Sequence, residues 1–64
     1  MKIGDRVDHK EFGTGTIKYI MFEDTVRELI AVEFNVSNSG FHDCYGKCKP
    51  SHGYFCNPDE LEII

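Results

Sequence analysis

The amino-acid sequence predicts an all-β fold, a single small barrel of five short strands that spans residues 1–64. Three observations lead to this prediction. Residues 26–36 are rich in β-branched side chains, and apolar and polar residues alternate over the second half of the segment. Clusters of turn-forming residues separate it from shorter apolar stretches on either side. Sixty-four residues suffice for one domain with one modest hydrophobic core.

Hydrophobic periodicity divides the chain into five strand segments. They cover residues 6–9, 16–22, 26–36, 53–56 and 61–64. In the first strand Val7 is the inward residue, and Phe12 in the following turn can close one end of the barrel. The second strand has apolar residues on both faces, so we expect it to bend across two sheets, as small barrels require. One face carries Ile17, Tyr19 and Met21, and the other carries Ile20 and Phe22.

The third segment also allows a helix over residues 27–34. Its β-branched residues and its two-residue period favour a strand instead. Residues 40–56 then lack periodicity and contain several glycines and a proline, which predicts a long loop that ends in the fourth strand.

A short helical signature precedes the last strand. Asn57 can cap a helix, Pro58 suits its first position, and the two acids that follow lie at the positive end of the helix dipole. Because the last strand follows at once, we expect a single 3₁₀ turn, and then a strand with Ile63 or Ile64 inward. Five short strands, a long loop before the fourth and a 3₁₀ turn before the last predict an SH3-like barrel.

Charge and composition exclude several classes of protein. Seven basic and eleven acidic residues give a net charge of −4, which does not by itself attract a phosphate backbone and favours a protein or small-molecule partner. The N-terminal segment is polar, and no apolar run approaches the length of a membrane span. We therefore expect a cytoplasmic protein without membrane association. Its three cysteines are an odd number and cannot all pair internally.

The loop at residues 40–56 carries a candidate zinc site. Its potential ligands are His42, Cys44, Cys48, His52 and Cys56. The residues form one Cys-x₃-Cys pair and one His-x₃-Cys pair, and three residues separate the two pairs. Structural zinc loops more often use paired Cys-x₂₋₄-Cys motifs, so this spacing is not the usual one. The alternative is that Cys56 packs in the core, that both histidines bond the loop backbone, and that Cys44 and Cys48 are free. A Cys44–Cys48 disulfide is a third option. We expect no cofactor, with one structural zinc as the alternative.

The same loop carries a candidate binding surface. Tyr45, Tyr54 and Phe55 are aromatic residues of the kind that anchor protein interfaces, and an aromatic groove beside a long loop can hold an extended peptide. With Lys47 and Lys49 the same residues form a basic and aromatic cluster suited to single-stranded nucleic acid. We expect a protein partner, and nucleic acid is the alternative.

Catalysis is not expected. His42, Asp43 and Cys44 supply the residue types of a nucleophilic triad, but adjacent residues lack convergent geometry, and a small barrel lacks a deep cleft. We therefore predict a non-enzymatic protein with no catalytic residues. Edge pairing through residues 29–36 or 61–64 offers a route to self-association, so we expect a monomer or a weak homodimer.

Two segments resemble known families and together cover nearly the whole chain. GDRV, HK and FGTGTI, at residues 4–7, 9–10 and 12–17, resemble the opening hairpin of Tudor-like domains, such as the one at the C-terminus of bacterial superfamily-one DNA helicases. FHD, Gly46, HGYF and DEL, from residue 41 to residue 61, are similar to small SH3-like proteins of phages and prophages. The resemblance implies an SH3-like fold and a phage or prophage protein that acts in the cytoplasm of a bacterial host cell. The cysteines are not part of the shared pattern.

Overall fold

The computed structural model describes all 64 residues and contains one sheet of five antiparallel strands. The elements are β1 (Arg6–His9), β2 (Gly13–Met21), β3 (Leu29–Phe34), β4 (Gly53–Cys56), a 3₁₀ turn (Pro58–Glu60) and β5 (Leu61–Ile63). The order in the sheet is β4-β3-β2-β1-β5. This arrangement confirms the predicted all-β fold of five strands, with a long loop before the fourth strand and a 3₁₀ turn before the last. None of its helical segments has the length and apolar character needed to cross a lipid bilayer.

The predicted third strand is too long at both ends. Val26 and Val36 lie outside β3 and are exposed, Val26 completely so. Residues before β3 instead form a turn, in which the backbone N–H and the Oγ1 hydroxyl of Thr25 both donate to the Phe22 carbonyl oxygen, at 3.2 and 2.6 Å. Because β3 lies between β2 and β4, it has no free edge for self-association. The outermost strands of the sheet are β4 and β5.

A β-bulge in β2 overturns the predicted faces of this strand. Ile17 pairs with Val32 and Tyr19 pairs with Ala31, so Lys18 has no partner of its own. One extra residue reverses the alternation of side chains and bends the strand. Tyr19 and Met21 therefore lie on the face opposite Ile17, and Ile20 packs against the core in their place.

The main hydrophobic core lies on one face of the sheet, which we call the inner face. Its buried members are Val7, Ile17, Ile30, Val32, Phe34, Phe41, Cys56 and Leu61. Val7 is inward as predicted. The buried residue of β5 is Leu61, its first residue, and not the predicted Ile63 or Ile64, which are exposed at the end of this edge strand. Phe12 lies at one end of the core. Its ring stacks on that of His9, with 4.5 Å between centroids, and meets Phe34 edge-on.

Candidate functional site

The long loop between β3 and β4 is tied back onto the sheet near both of its ends. Phe34 donates its N–H to the His52 carbonyl at 2.8 Å. His42 and Gly53 exchange both backbone hydrogen bonds, at 2.9 and 2.7 Å, so residue 42 extends the sheet outside β4. The loop therefore pairs with the outer edge of β4 at Gly53.

A left-handed turn shapes the centre of this loop. Cys44, Tyr45 and Gly46 have φ angles of 50°, 58° and 88°, and residues with a Cβ adopt such angles at a cost of roughly 1 kcal/mol each. The carbonyl oxygen of Asp43 accepts N–H bonds from Gly46 and Cys48, at 3.0 and 2.8 Å, and these bonds hold the turn. As a result, the Cys44 side chain is buried and Tyr45 is 86% exposed.

Both predicted loop histidines bond backbone groups. The Nδ1 atom of His42 accepts the N–H of Cys44 at 2.9 Å, so the ring proton of a neutral His42 lies on Nε2. His52 Nδ1 lies 2.9 Å from the carbonyl oxygen of Phe34, where it donates. The two imidazoles thus stabilise the loop, as the alternative to a zinc site predicted.

The three cysteines are divided between two hydrophobic clusters. Cys56 belongs to the main core, whereas Cys44 and Cys48 pack with Ala31 in a second cluster between the loop and the outer face of the sheet. A Cβ atom on Gly53 would lie 2.7 Å from the Cys48 Cβ and 2.9 Å from the Cys44 Sγ. Only glycine therefore lets the loop approach β4 this closely.

The cysteine thiols are protonated at neutral pH. Burial is the main cause that raises the pKa of Cys44 and that of Cys56 from 9.0 to about 12, and the charge of Glu60 contributes at Cys56. Burial also raises the pKa of Cys48, while a hydrogen bond from Cys44 and the charge of Lys18 oppose this increase. Since the thiolate is the nucleophilic and metal-binding form, these thiols are unreactive unless they are deprotonated.

The predicted zinc ligands do not converge on one point. Cys44 and Cys48 are neighbours, but Cys56 lies in the other cluster, and Nδ1 of each loop histidine is already engaged by the backbone. A second group of potential ligands does converge. It consists of His9, Cys56 and Glu60, whose ligand atoms all lie within 4.8 Å of one another. The sequence does not reveal this group, because His9 is near the start of the chain and the other two residues are near its end, and only folding brings them together.

The hydrogen bonds of the second group favour a structural link over a metal centre. His9 Nδ1 accepts the N–H of Glu11 at 3.0 Å and that of Phe12 at 3.4 Å, which leaves the ring proton on Nε2, the atom that faces Glu60 at 3.7 Å. A metal on Nε2 would require the proton to move to Nδ1, against two N–H donors. Glu60 also accepts the Asn57 N–H at 2.7 Å. The group therefore connects the β1–β2 turn to the 3₁₀ turn.

Four aromatic rings form a row around the edge of β4, which we call the aromatic loop face. Its members are His42, Tyr45, Tyr54 and Phe55. Ring centroids are 5.9 Å apart for Tyr45 and Phe55, 5.6 Å for Phe55 and His42, and 6.1 Å for His42 and Tyr54. Tyr54 and Phe55 point to opposite faces of the strand, and exposed His42 joins them. The three predicted aromatic residues are thus brought together, with His42 as a link that the sequence did not predict.

Basic side chains lie beside this row. The Nζ atom of Lys47 lies 4.5 Å from the centroid of the Tyr19 ring, a cation–π contact that the predicted faces of β2 did not anticipate. Tyr19, Ala31 and Phe55 occupy one cross-strand row on the outer face of the sheet. Lys49 is exposed, and its backbone N–H donates to the Glu33 carboxylate at 2.7 Å. Both predicted lysines therefore belong to the exposed part of the loop.

An open, polar groove is the one cavity of the protein, with a volume of about 390 Å³. Its lining consists of Thr25, Val26, Glu28, Asn57, Pro58 and Asp59. None of these residues belongs to the aromatic loop face. The groove contains one apolar side chain, so it lacks the apolar walls typical of a small-molecule site.

No family model matches the chain, and no curated protein matches it significantly.

Proposed function

We propose that the protein is a small non-enzymatic binding module, encoded by a phage or prophage, which docks a protein partner on its aromatic loop face in the cytoplasm of a bacterial host. The observation that carries the proposal is the row of four rings around β4, with Tyr45 at its most exposed end. The resemblance to small SH3-like phage proteins supports the proposed origin. We expect the module to act as a monomer or a weak homodimer.

The exposure of Tyr45 is the main support for a docking role. Burial of an aromatic side chain contributes strongly to association, and tyrosine is enriched among the residues that dominate interfaces. The turn that presents Tyr45 is fixed by backbone bonds from Asp43 and by the imidazole of His42. A partner would therefore meet an ordered loop, and little conformational entropy would be lost on binding.

A capture experiment with matched variants tests the proposal. The wild-type protein, Tyr45→Ala and Ile64→Ala are immobilised in turn, and proteins bound from a bacterial host lysate are quantified by mass spectrometry. Ile64 is a suitable control because it is also exposed and apolar, but it follows β5 at the opposite edge of the sheet. A partner should be captured by the wild type and by Ile64→Ala and be lost with Tyr45→Ala. Equal capture by all three proteins would contradict the proposal.

Single-stranded nucleic acid is the second candidate partner. Two of the seven basic residues, Lys47 and Lys49, lie on the loop that builds the aromatic loop face, and bases can stack on its exposed rings. Such binding should weaken steeply as salt increases, because phosphate contacts release counterions. Titration of a fluorescent oligonucleotide at low and moderate salt tests it. An absence of binding at low salt would exclude this partner.

One structural zinc could accompany either function. The proposal is supported by the five Cys and His residues of the loop, although reorganisation of the histidine hydrogen bonds would be needed to bring a third ligand to Cys44 and Cys48.

A further inference from the structure

The turn at residues 43–48 brings two thiols together against the sheet. Cys44 is fully buried, Cys48 is 7% exposed, and both pack with Ala31 outside the main core. Both side chains approach the point that a Cβ atom would occupy if Gly53 had one. The Cys44 Sγ lies 2.9 Å from this point and the Cys48 Cβ lies 2.7 Å from it. The two thiols are also close enough for each to perturb the pKa of the other. The side chains therefore converge.

The backbone keeps the two cysteines close together. The Cys44 carbonyl oxygen accepts the N–H of Lys47 at 3.2 Å, and Cys48 donates its N–H to the carbonyl oxygen of Asp43 at 2.8 Å. These bonds fold the chain back between the two Cα atoms. A disulfide needs such proximity, since its Cα atoms lie roughly 4–7 Å apart.

Cys56 lacks a thiol neighbour of this kind. It is fully buried in the main core, where it is the only cysteine, and its Sγ lies 3.9 Å from the carbonyl oxygen of Tyr54. The molecule thus holds a convergent pair of thiols and a third thiol in the other hydrophobic cluster, which serves as an internal reference.

We propose that Cys44 and Cys48 form a redox pair that closes to an intramolecular disulfide when the protein is oxidised by a peroxide. This inference is independent of the proposed function. The disulfide would link the two ends of the turn that presents Tyr45 and Lys47. Oxidation would therefore add a covalent cross-link to the turn of the aromatic loop face.

The reaction has two steps. The Cys48 thiolate, a minor form because burial raises the pKa of this thiol, attacks one oxygen of hydrogen peroxide. The O–O bond breaks, Cys48 becomes a sulfenic acid, and the leaving hydroxide takes the proton that the Cys48 thiol released and becomes water. The Cys44 sulfur then attacks the Cys48 sulfur, and the sulfenic oxygen leaves as water with the proton of the Cys44 thiol. In total, two thiols lose two electrons and two protons, and one peroxide becomes two waters. Cys48 reacts first because it retains some exposure, whereas Cys44 has none.

Mass spectrometry of the native wild-type protein tests the proposal. The reduced chain is treated with hydrogen peroxide, free thiols are alkylated under unfolding conditions, and the protein is digested. Trypsin cleaves after Lys47 and chymotrypsin after Tyr54 or Phe55, so the three cysteines fall in three different peptides. The expected result is a loss of two hydrogen atoms, a linked pair of peptides that contains Cys44 and Cys48, and an alkylated Cys56. Cys56→Ala should close in the same way, and Cys48→Ser should not.

The same treatment of the urea-unfolded chain is the control for the oxidant. If peroxide oxidises the unfolded chain but leaves Cys44 and Cys48 of the native protein reduced, the proposal is overturned. A bridge to Cys56, a disulfide between two molecules, or further oxidation of Cys48 without a bridge would overturn it equally.

Discussion

Replacement of Gly53 by alanine is expected to destabilise the protein, because the loop packs directly on this residue. The new Cβ would lie 2.7 Å from the carbonyl oxygen of His42, 2.7 Å from the Cys48 Cβ and 2.9 Å from the Cys44 Sγ. The first of these atoms belongs to the backbone of a pairing partner, and the second is the fixed first atom of a side chain. Relief of the clash therefore requires the loop to move away from β4.

Overpacking of a well-packed site costs about 1–3 kcal/mol, and we expect Gly53→Ala to lower the free energy of unfolding by about 2 kcal/mol. In a domain of this size such a loss lowers the Tm by on the order of 10 °C. Thermal and urea unfolding followed by circular dichroism measure it. Gly40→Ala is the matched control, since no atom lies within 4 Å of its added Cβ and its φ is not positive. If Gly53→Ala is as stable as Gly40→Ala, the described packing of the loop is wrong.

Three further predictions concern pH, the β1–β2 turn and metal. The pKa values of Cys44 and Cys56 are raised from 9.0 to about 12 on folding, so the folded protein holds these two protons more tightly than the unfolded chain does. The contribution of these thiols to stability should therefore be constant below pH 9 and fall above it, by up to about 1.4 kcal/mol per pH unit for each thiol. Urea unfolding between pH 7.5 and roughly 10.5 tests this, and a flat profile for the wild type would contradict it. His9→Ala should lower the free energy of unfolding by about 1–2 kcal/mol, because the N–H groups of Glu11 and Phe12 lose their acceptor. His9→Asn should lower it by less, since the Asn side chain can still accept these N–H bonds. Equal losses for the two variants in urea unfolding would disprove the role of His9 Nδ1 as an acceptor. Protein purified without chelator should contain about one zinc and lose thermal stability on chelation if the loop binds metal; zinc near zero with an unchanged Tm would remove that hypothesis.

Much of the fold could be predicted because its signals are local. The strands Arg6–His9 and Gly53–Cys56 and the turn at Pro58–Glu60 occur where turn residues and capping residues place them. The bulge at Lys18 could not be predicted, because no glycine marks it, and its position depends on how β2 pairs with β3. The sequence also placed Val26 in the third strand, but an apolar residue next to a strand is not necessarily part of it.

The candidate site could be predicted in part. Tyr45, Tyr54 and Phe55 come together because the loop returns to β4, and the aromatic content of the segment indicated this. The linking role of His42 depends on tertiary structure, as does the approach of Lys47 to Tyr19. The division of the cysteines between two clusters also follows from the path of the loop and not from their spacing.

Tyr45 and its neighbours on the aromatic loop face are proposed to bind a protein partner. The most direct test of this proposal is the affinity of a captured partner for the wild-type protein and for Tyr45→Ala, measured by isothermal titration calorimetry. Because Tyr45 is exposed and lies outside both hydrophobic clusters, the variant should fold normally. We expect Tyr45→Ala to lose about 2 kcal/mol of binding free energy, about thirtyfold in Kd. An unchanged Kd would contradict the account.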